Sequence, residues 1–194
     1  LAALAAFLPA QEKEVPDPAP LEALIARGRH DQALRRLSAL LADHPREIGL
    51  RLLAARALYL RGAAKLKERG RLTAAVTEDM RMALAQAARI LAQEPAHRDA
   101  RLVTAQAHYL AGRPAEAEKE ARRLLQSRPA DGGAHFLLGT ILFGRSGRRV
   151  REARLEEAAE LRRTAAGHYR RALEAGTKRA EAARRLGDIA ATEG

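Results

Sequence analysis

The chain has 194 residues and a net charge of +11, from 35 Lys and Arg against 24 Asp and Glu. It contains no Cys, no Trp, three Tyr and three Phe, although 47% of its residues are apolar. Disulfide and thiolate chemistry are therefore excluded, and packing falls to Ala and Leu, which favours helices that approach closely. The length suits one domain or one array of small repeats with a buried core. Lys occurs only at Lys13, Lys65, Lys67, Lys119 and Lys178, so Arg carries the charge. A GC-rich bacterial genome writes such a composition by default, and a polyanion-binding surface would also need it.

The first ten residues, LAALAAFLPA, form an apolar run too short to span a bilayer. QEKEVPDPAP comes next, a polar stretch whose three prolines cannot continue a helix. The run reads either as the tail of a secretory signal with Ala10 before the cut, or as a docking segment whose contacts are Leu1, Leu4, Phe7 and Leu8. As a tethered segment it has a proline-rich linker of about eleven residues, reaching roughly 30 Å in polyproline form. The expected location is outside the cytoplasm, periplasmic or extracellular, as the signal reading suggests, with the cytoplasm as the alternative.

Three near-copies punctuate the rest of the chain: GRHDQA at 28–33, GRLTAA at 70–75 and GRPAEA at 112–117. Pro45, Pro95 and Pro129 each close an apolar run, and the last two stand 34 residues apart. Between them apolar residues recur at helical spacing on both sides of Gly112, which predicts two helices of about fourteen residues joined by a turn. A 34-residue unit of helix, turn, helix and closing Pro resembles the tetratricopeptide repeat. The resemblance assigns the small residue of the first helix to Ala105, the turn to Gly112, the helix contact to Ala117 and the stop to Pro129. Gly28, Ala33 and Pro45 match at the same offsets, and Leu138-Gly139 and Leu186-Gly187 match the family's Leu-Gly pair.

This implies an all-α fold, a right-handed α-solenoid of antiparallel helix pairs. Residues 1–19 form the apolar segment and linker, and residues 20–194 form about four and a half repeats with boundaries at 20–45, 46–95, 96–129, 130–177 and 178–194. The pattern departs from regular spacing in two places. Pro45 to Pro95 is 50 residues, 16 more than one period. With the turn at Gly70 the surplus divides into about eight residues per helix, or roughly 12 Å each, giving a lengthened hairpin. A similar surplus lies around GRSGRRVREARLEEAAELRR in the fourth unit.

That Arg-rich stretch interleaves seven arginines of residues 145–163 with Glu152, Glu156, Glu157 and Glu160. Opposite charges three or four apart stabilise an exposed helix, and the aromatics that single-stranded nucleic acid would stack upon are missing. Nucleic acid is accordingly not the expected partner. The six histidines never stand three to five apart, no nucleophile elbow or phosphate-binding glycine loop occurs, and His44 and His97 flank repeat prolines as turn residues. The expectation is a non-enzyme with no metal, no cofactor and no transmembrane span.

In the resembled family the first helix of each unit lines the concave groove where peptides bind. Applying the 50- and 34-residue spacing places Leu52, Leu102 and Phe136 in one row and Tyr59, Tyr109 and Phe143 in another, with Arg56, Gln106 and Thr140 between them. Such a row suits an apolar segment, and ordinary packing between helices would place the same residue types there. The reading is a protein-protein interaction scaffold, exported and self-associating into a ring or filament through its N-terminal segment. Two alternatives are a monomeric adaptor that binds a peptide of another protein, and a basic polyanion or nucleic-acid binder.

Overall fold

The computed structural model describes residues 15–192, so the predicted docking contacts Leu1, Leu4, Phe7 and Leu8 lie outside the described residues. Among the described residues the chain forms helices and no strands: α1 (Ala19–Ala26), α2 (His30–Asp43), α3 (Ile48–Arg69), α4 (Ala74–Gln93), α5 (Arg98–Leu110), α6 (Pro114–Ser127), α7 (Gly132–Arg151), α8 (Leu155–Glu174) and α9 (Arg179–Ala190). Each helix packs on the next, and first helices also touch in series, α1 on α3, α3 on α5 and α5 on α7. The result is an α-solenoid of helix pairs, and its core is a chain of local clusters. Leu37 and Leu50 centre one cluster, Leu58 and Met80 another, Leu124 and Leu138 a third, and Tyr169 with Phe136 the last.

Helix length follows the sequence surplus. α5 and α6 have 13 and 14 residues, whereas α3 has 22 and α4, α7 and α8 have 20 each. The second helices bury a narrow stripe of small and aliphatic residues: Ala117, Ala121 and Leu124 in α6, and Val76, Met80, Ala83, Ala87 and Ile90 in α4. Full burial of each Leu, Ile or Val contributes about 1.5–3 kcal/mol. α7 is apolar almost all round, with every residue from Gly132 to Gly139 buried, because α5 and α6 cover one side of it and α8 the other.

The turns inside the pairs share one geometry. At Gly112, φ is 76°; its N–H donates to the Tyr109 carbonyl at 3.0 Å, and Arg113 N–H donates to the His108 carbonyl at 2.9 Å. The two bonds close the helix end, and the left-handed residue between them is best suited to Gly. Gly28 repeats the arrangement with Ile25 and Leu24 as acceptors. So does Ala153, at φ 58°, with Val150 and Arg149 as acceptors. ARLEEA at 153–158 is thus a fourth copy of the turn motif with Ala in place of Gly, and Ala158 is fully buried as Ala33 and Ala117 are.

The second unit differs. Gly70 ends α3 and Thr73 begins α4, its Oγ1 accepting the Val76 N–H at 3.3 Å. This loop is one residue longer, so the helix contact expected at Ala75 moves to Val76: Ala75 is exposed and Val76 is fully buried. Gly62 lies inside α3. A Cβ there would stand 2.4 Å from Met80 Cε and 3.3 Å from Asp79 Cβ, so the residue marks close approach of α3 to α4.

Between pairs a second device recurs. The side chain six residues after each closing proline turns back to that proline's carbonyl and reaches forward to the second helix of its own unit. Arg51 donates from Nη2 to the Pro45 carbonyl and from Nη1 to Gln86 Oε1 at 3.0 Å. Arg101 donates to the Pro95 carbonyl and to Glu120 Oε2 at 2.8 Å. His135 Nε2 donates to the Pro129 carbonyl at 2.8 Å, which leaves its Nδ1 to accept from His168 Nδ1 at 2.9 Å. Because these clasps hold the proline ends in register, the extra turns of α3–α4 and α7–α8 lie at the opposite, hairpin end.

The turn and the histidine clasp each generate a test. Ala in a left-handed conformation costs about 1–2 kcal/mol, and Gly gives back part of that through unfolded-state entropy. Ala153→Gly should therefore raise unfolding stability by about 0.5–1 kcal/mol, whereas Gly112→Ala should lower it, as read from urea midpoints. Burial, then His135 and the nearby Arg171 and Arg122, pull His168 down to about 4 from an ordinary 6.5, against Glu118. A folded-state pKa below the unfolded one gives stability that is full above about 6.5 and is lost as pH falls toward about 4. The urea midpoint should drop between pH 7 and pH 5, and His168→Gln should flatten that drop.

Candidate protein-binding surface

The first helices α3, α5 and α7 position the two predicted rows. In α3, Leu52 is half-buried, Arg56 is exposed, and half-buried Tyr59 packs on the cluster of Leu58, Met80, Ala83 and Ala107. In α5, Leu102, Gln106 and Tyr109 are all half-buried, and Leu102 and Tyr109 pack on the cluster around Ala105, Leu137 and Leu138. In α7, Phe136 is 7% exposed and meets Tyr169 of α8 with ring centroids 5.6 Å apart at 60°. Thr140 lies beside them; its Oγ1 donates to the Phe136 carbonyl at 2.9 Å and accepts from the Tyr169 hydroxyl at 3.3 Å. Phe143 is half-buried.

The last helix reaches the same face. Lys178 Nζ stands 4.7 Å above the Phe136 ring, and the Arg185 guanidinium stands 5.7 Å above Phe143. Burial pushes the Tyr59 phenol up, and Glu181 and Tyr109 add to the shift. Burial also raises Tyr109, against the pull of Arg185 and Arg148. Tyr59, Tyr109 and the charged side of α9 therefore share one electrostatic environment. Lys178 and Arg185 lie over the fourth-unit end of the two rows, and of the predicted groove residues Arg56 is exposed while Leu52, Tyr59, Gln106 and Tyr109 are half-buried. Lys178, Glu181 and Arg185 belong to the last half repeat and lie outside the rows that the 50- and 34-residue spacing picks out. Their three- and four-residue spacing on one helix side is the signal that marks them.

The Arg-rich stretch at the α7–α8 turn is laced with ion pairs. Arg149 reaches Glu152 at 2.6 Å and Glu157 at 3.3 Å, Arg154 pairs with Glu157, and Arg145 reaches Glu118 of α6 at 2.6 Å. His44 ends α2, and His97 begins α5 by accepting the Ala100 N–H on Nδ1 at 3.2 Å. The structure brings His135 and His168 together through space, which sequence spacing does not reveal. Among the described residues no three His, Asp or Glu side chains are grouped as a metal ion requires, and no helix is long and apolar enough to cross a membrane.

A second concavity lies between α2, α3 and α4. It is a cleft of about 640 Å³ walled by Leu34, Leu37, Leu41, Ala54, Leu58 and Met82, with Arg35, Arg51 and Arg89 among its lining. The repeat period does not point to it, because its walls include the outer helices of two successive units.

Known proteins frame this geometry. The tetratricopeptide repeat model matches residues 21–88 and 78–133. No curated protein matches the chain. Among solved structures, "MamA RS-1 ArsTM double mutant" is similar at 21% identity and a TM-score of 0.48, over 82% of this chain and 75% of that one. "Crystal structure of MamA" is similar at 17% identity and a TM-score of 0.41, over 83% of this chain and 96% of that one. The repeat fold supports a protein-protein interaction scaffold. The two family matches together run from residue 21 to residue 133, more than half of the 194 residues, and the chain belongs to the tetratricopeptide repeat family.

Proposed function

We propose that the protein is a self-associating scaffold that works outside the cytoplasm, one copy docking its N-terminal apolar segment on a neighbouring copy. The observation that carries this reading is the pairing within one sequence of LAALAAFL, held on a proline-rich tether, with a repeat face that offers half-buried Leu52, Tyr59, Leu102 and Tyr109. Leu1, Leu4, Phe7 and Leu8 are the docking contacts. Arg56 and Gln106 supply polar groups beside the aromatic row, as an apolar groove with a few hydrogen-bonding side chains requires. Thr140, Phe136 and Phe143 continue the rows under the α9 cations. A segment of one copy on the face of the next is a head-to-tail contact, which closes into a ring or continues as a filament according to the rotation per step.

Tetratricopeptide folds are typically interaction scaffolds and not enzymes, and the described side chains fit that role. The segment that would be a secretory signal in one reading is here a mature docking element. Deleting residues 1–10 separates the two. Sedimentation velocity across a concentration series should show assemblies for the 194-residue chain and a monomer for the deletion. An unchanged particle mass after deletion would sink the self-association reading.

A further inference from the structure

The cleft between α2, α3 and α4 contains a cation that the fold leaves uncompensated. Arg51 is only 8% exposed, its Nε has no hydrogen-bond partner, and its other guanidinium nitrogens meet the neutral Pro45 carbonyl and Gln86 amide. Its counterpart one unit later, Arg101, makes the same proline contact but meets a carboxylate, Glu120, at 2.8 Å. Gln86 stands where that carboxylate would be. Arg89, one turn further along α4 than Gln86, also lines the cleft, and no carboxylate among the described residues pairs with it. Burial, together with Arg89, lowers the pKa of Arg51, as expected of two cations with no shared counter-ion. A buried charge without a partner is costly, so an anion bound here would relieve an existing penalty.

The remainder of the cleft sets what the anion is attached to. Its opposite end is already neutralised: Arg61 binds Asp31 at 2.6 Å and Asp79 at 2.6 Å, and Lys65 binds Asp79 at 2.8 Å. Between the ends, Leu34, Leu37, Leu41, Ala54, Leu58 and Met82 form an apolar wall, with Ser38 and Arg35 as the polar side chains beside it. Leu34 to Leu41 spans seven residues of helix, roughly 10 Å. A peptide laid along this wall would bring an N–H and a C=O at every residue, more than Ser38 and Arg35 can satisfy. A hydrocarbon chain brings none, and the volume of about 640 Å³ lies within the usual range for small-molecule sites.

We propose that this cleft binds a straight-chain aliphatic monocarboxylate, the carboxylate on Arg51 and Arg89 and the chain along Leu37, Leu41, Ala54, Leu58 and Met82. The site is independent of the self-association reading and stands or falls separately. Calorimetric titration of the 194-residue chain with decanoate should give saturable one-to-one binding, with decanol and decylamine at least tenfold weaker. Arg51→Gln should weaken decanoate by about tenfold or more, the loss expected when a charged hydrogen bond becomes a neutral one. Met82→Trp, a change at a 39% exposed position that fills the cleft without touching Arg51, should weaken it comparably and separates a blocked site from a damaged fold. Equal binding of decanol and decanoate, undiminished binding by Arg51→Gln, or no saturable binding by the unaltered chain would each overturn the assignment. Binding seen only after Leu4→Asp and Phe7→Asp would overturn it too, by giving the cleft to the chain's own first residues.

Discussion

Three successive repeats close on a proline, Pro45, Pro95 and Pro129, and in each the side chain six residues on donates to that proline's carbonyl. Arg51, Arg101 and His135 occupy the same place in three successive units and each ties the loop behind it to the second helix ahead. A proline cannot continue the preceding helix, and the bond to its carbonyl ties the loop that follows to the next first helix. Fixing that acceptor fixes the entry angle of the next first helix. The direction of each inner face is set by that angle, and so are the gaps between outer helices.

The clasp is one device with three chemistries, and the differences locate the features of interest. Arginine with Glu120 gives a closed ion pair in the third unit. Arginine with Gln86 leaves a buried positive charge in the second unit and, beside it, an apolar cleft. Histidine with His168 gives a ring-to-ring contact in the fourth, and the buried His168 makes that contact sensitive to acid. The chain's last helix then brings Lys178 and Arg185 over the aromatic ends of the inner rows, at Phe136 and Phe143.

Much of this architecture is legible in the sequence. Gly28, Gly70 and Gly112 set the register because a left-handed turn favours glycine, and Pro45, Pro95 and Pro129 mark the junctions because proline cannot continue a helix. The same rule conceals the fourth turn, where Ala153 accepts the left-handed strain and no glycine marks the place. It also misplaces one contact, since the loop after Gly70 is longer by one residue and Val76 takes the buried position in place of Ala75. The inner rows are readable from the period, but the placing of Lys178 over Phe136 and of Arg185 over Phe143 is a tertiary contact that carries no periodic signal. The clasp is hidden for a different reason: arginine and histidine do the same work there, so residue identity gives no periodic signal.

Arg51 is held by the fold without the carboxylate that its counterpart Arg101 has. Gln86→Glu supplies that carboxylate and touches nothing else the fold depends on. Replacing a neutral hydrogen-bond acceptor with a charged one opposite a buried guanidinium is worth about 1 kcal/mol. Urea unfolding at neutral pH should therefore show Gln86→Glu more stable than the unaltered chain by about that amount. A midpoint that stays the same or falls would mean that Arg51 is already compensated, and would contradict the claim.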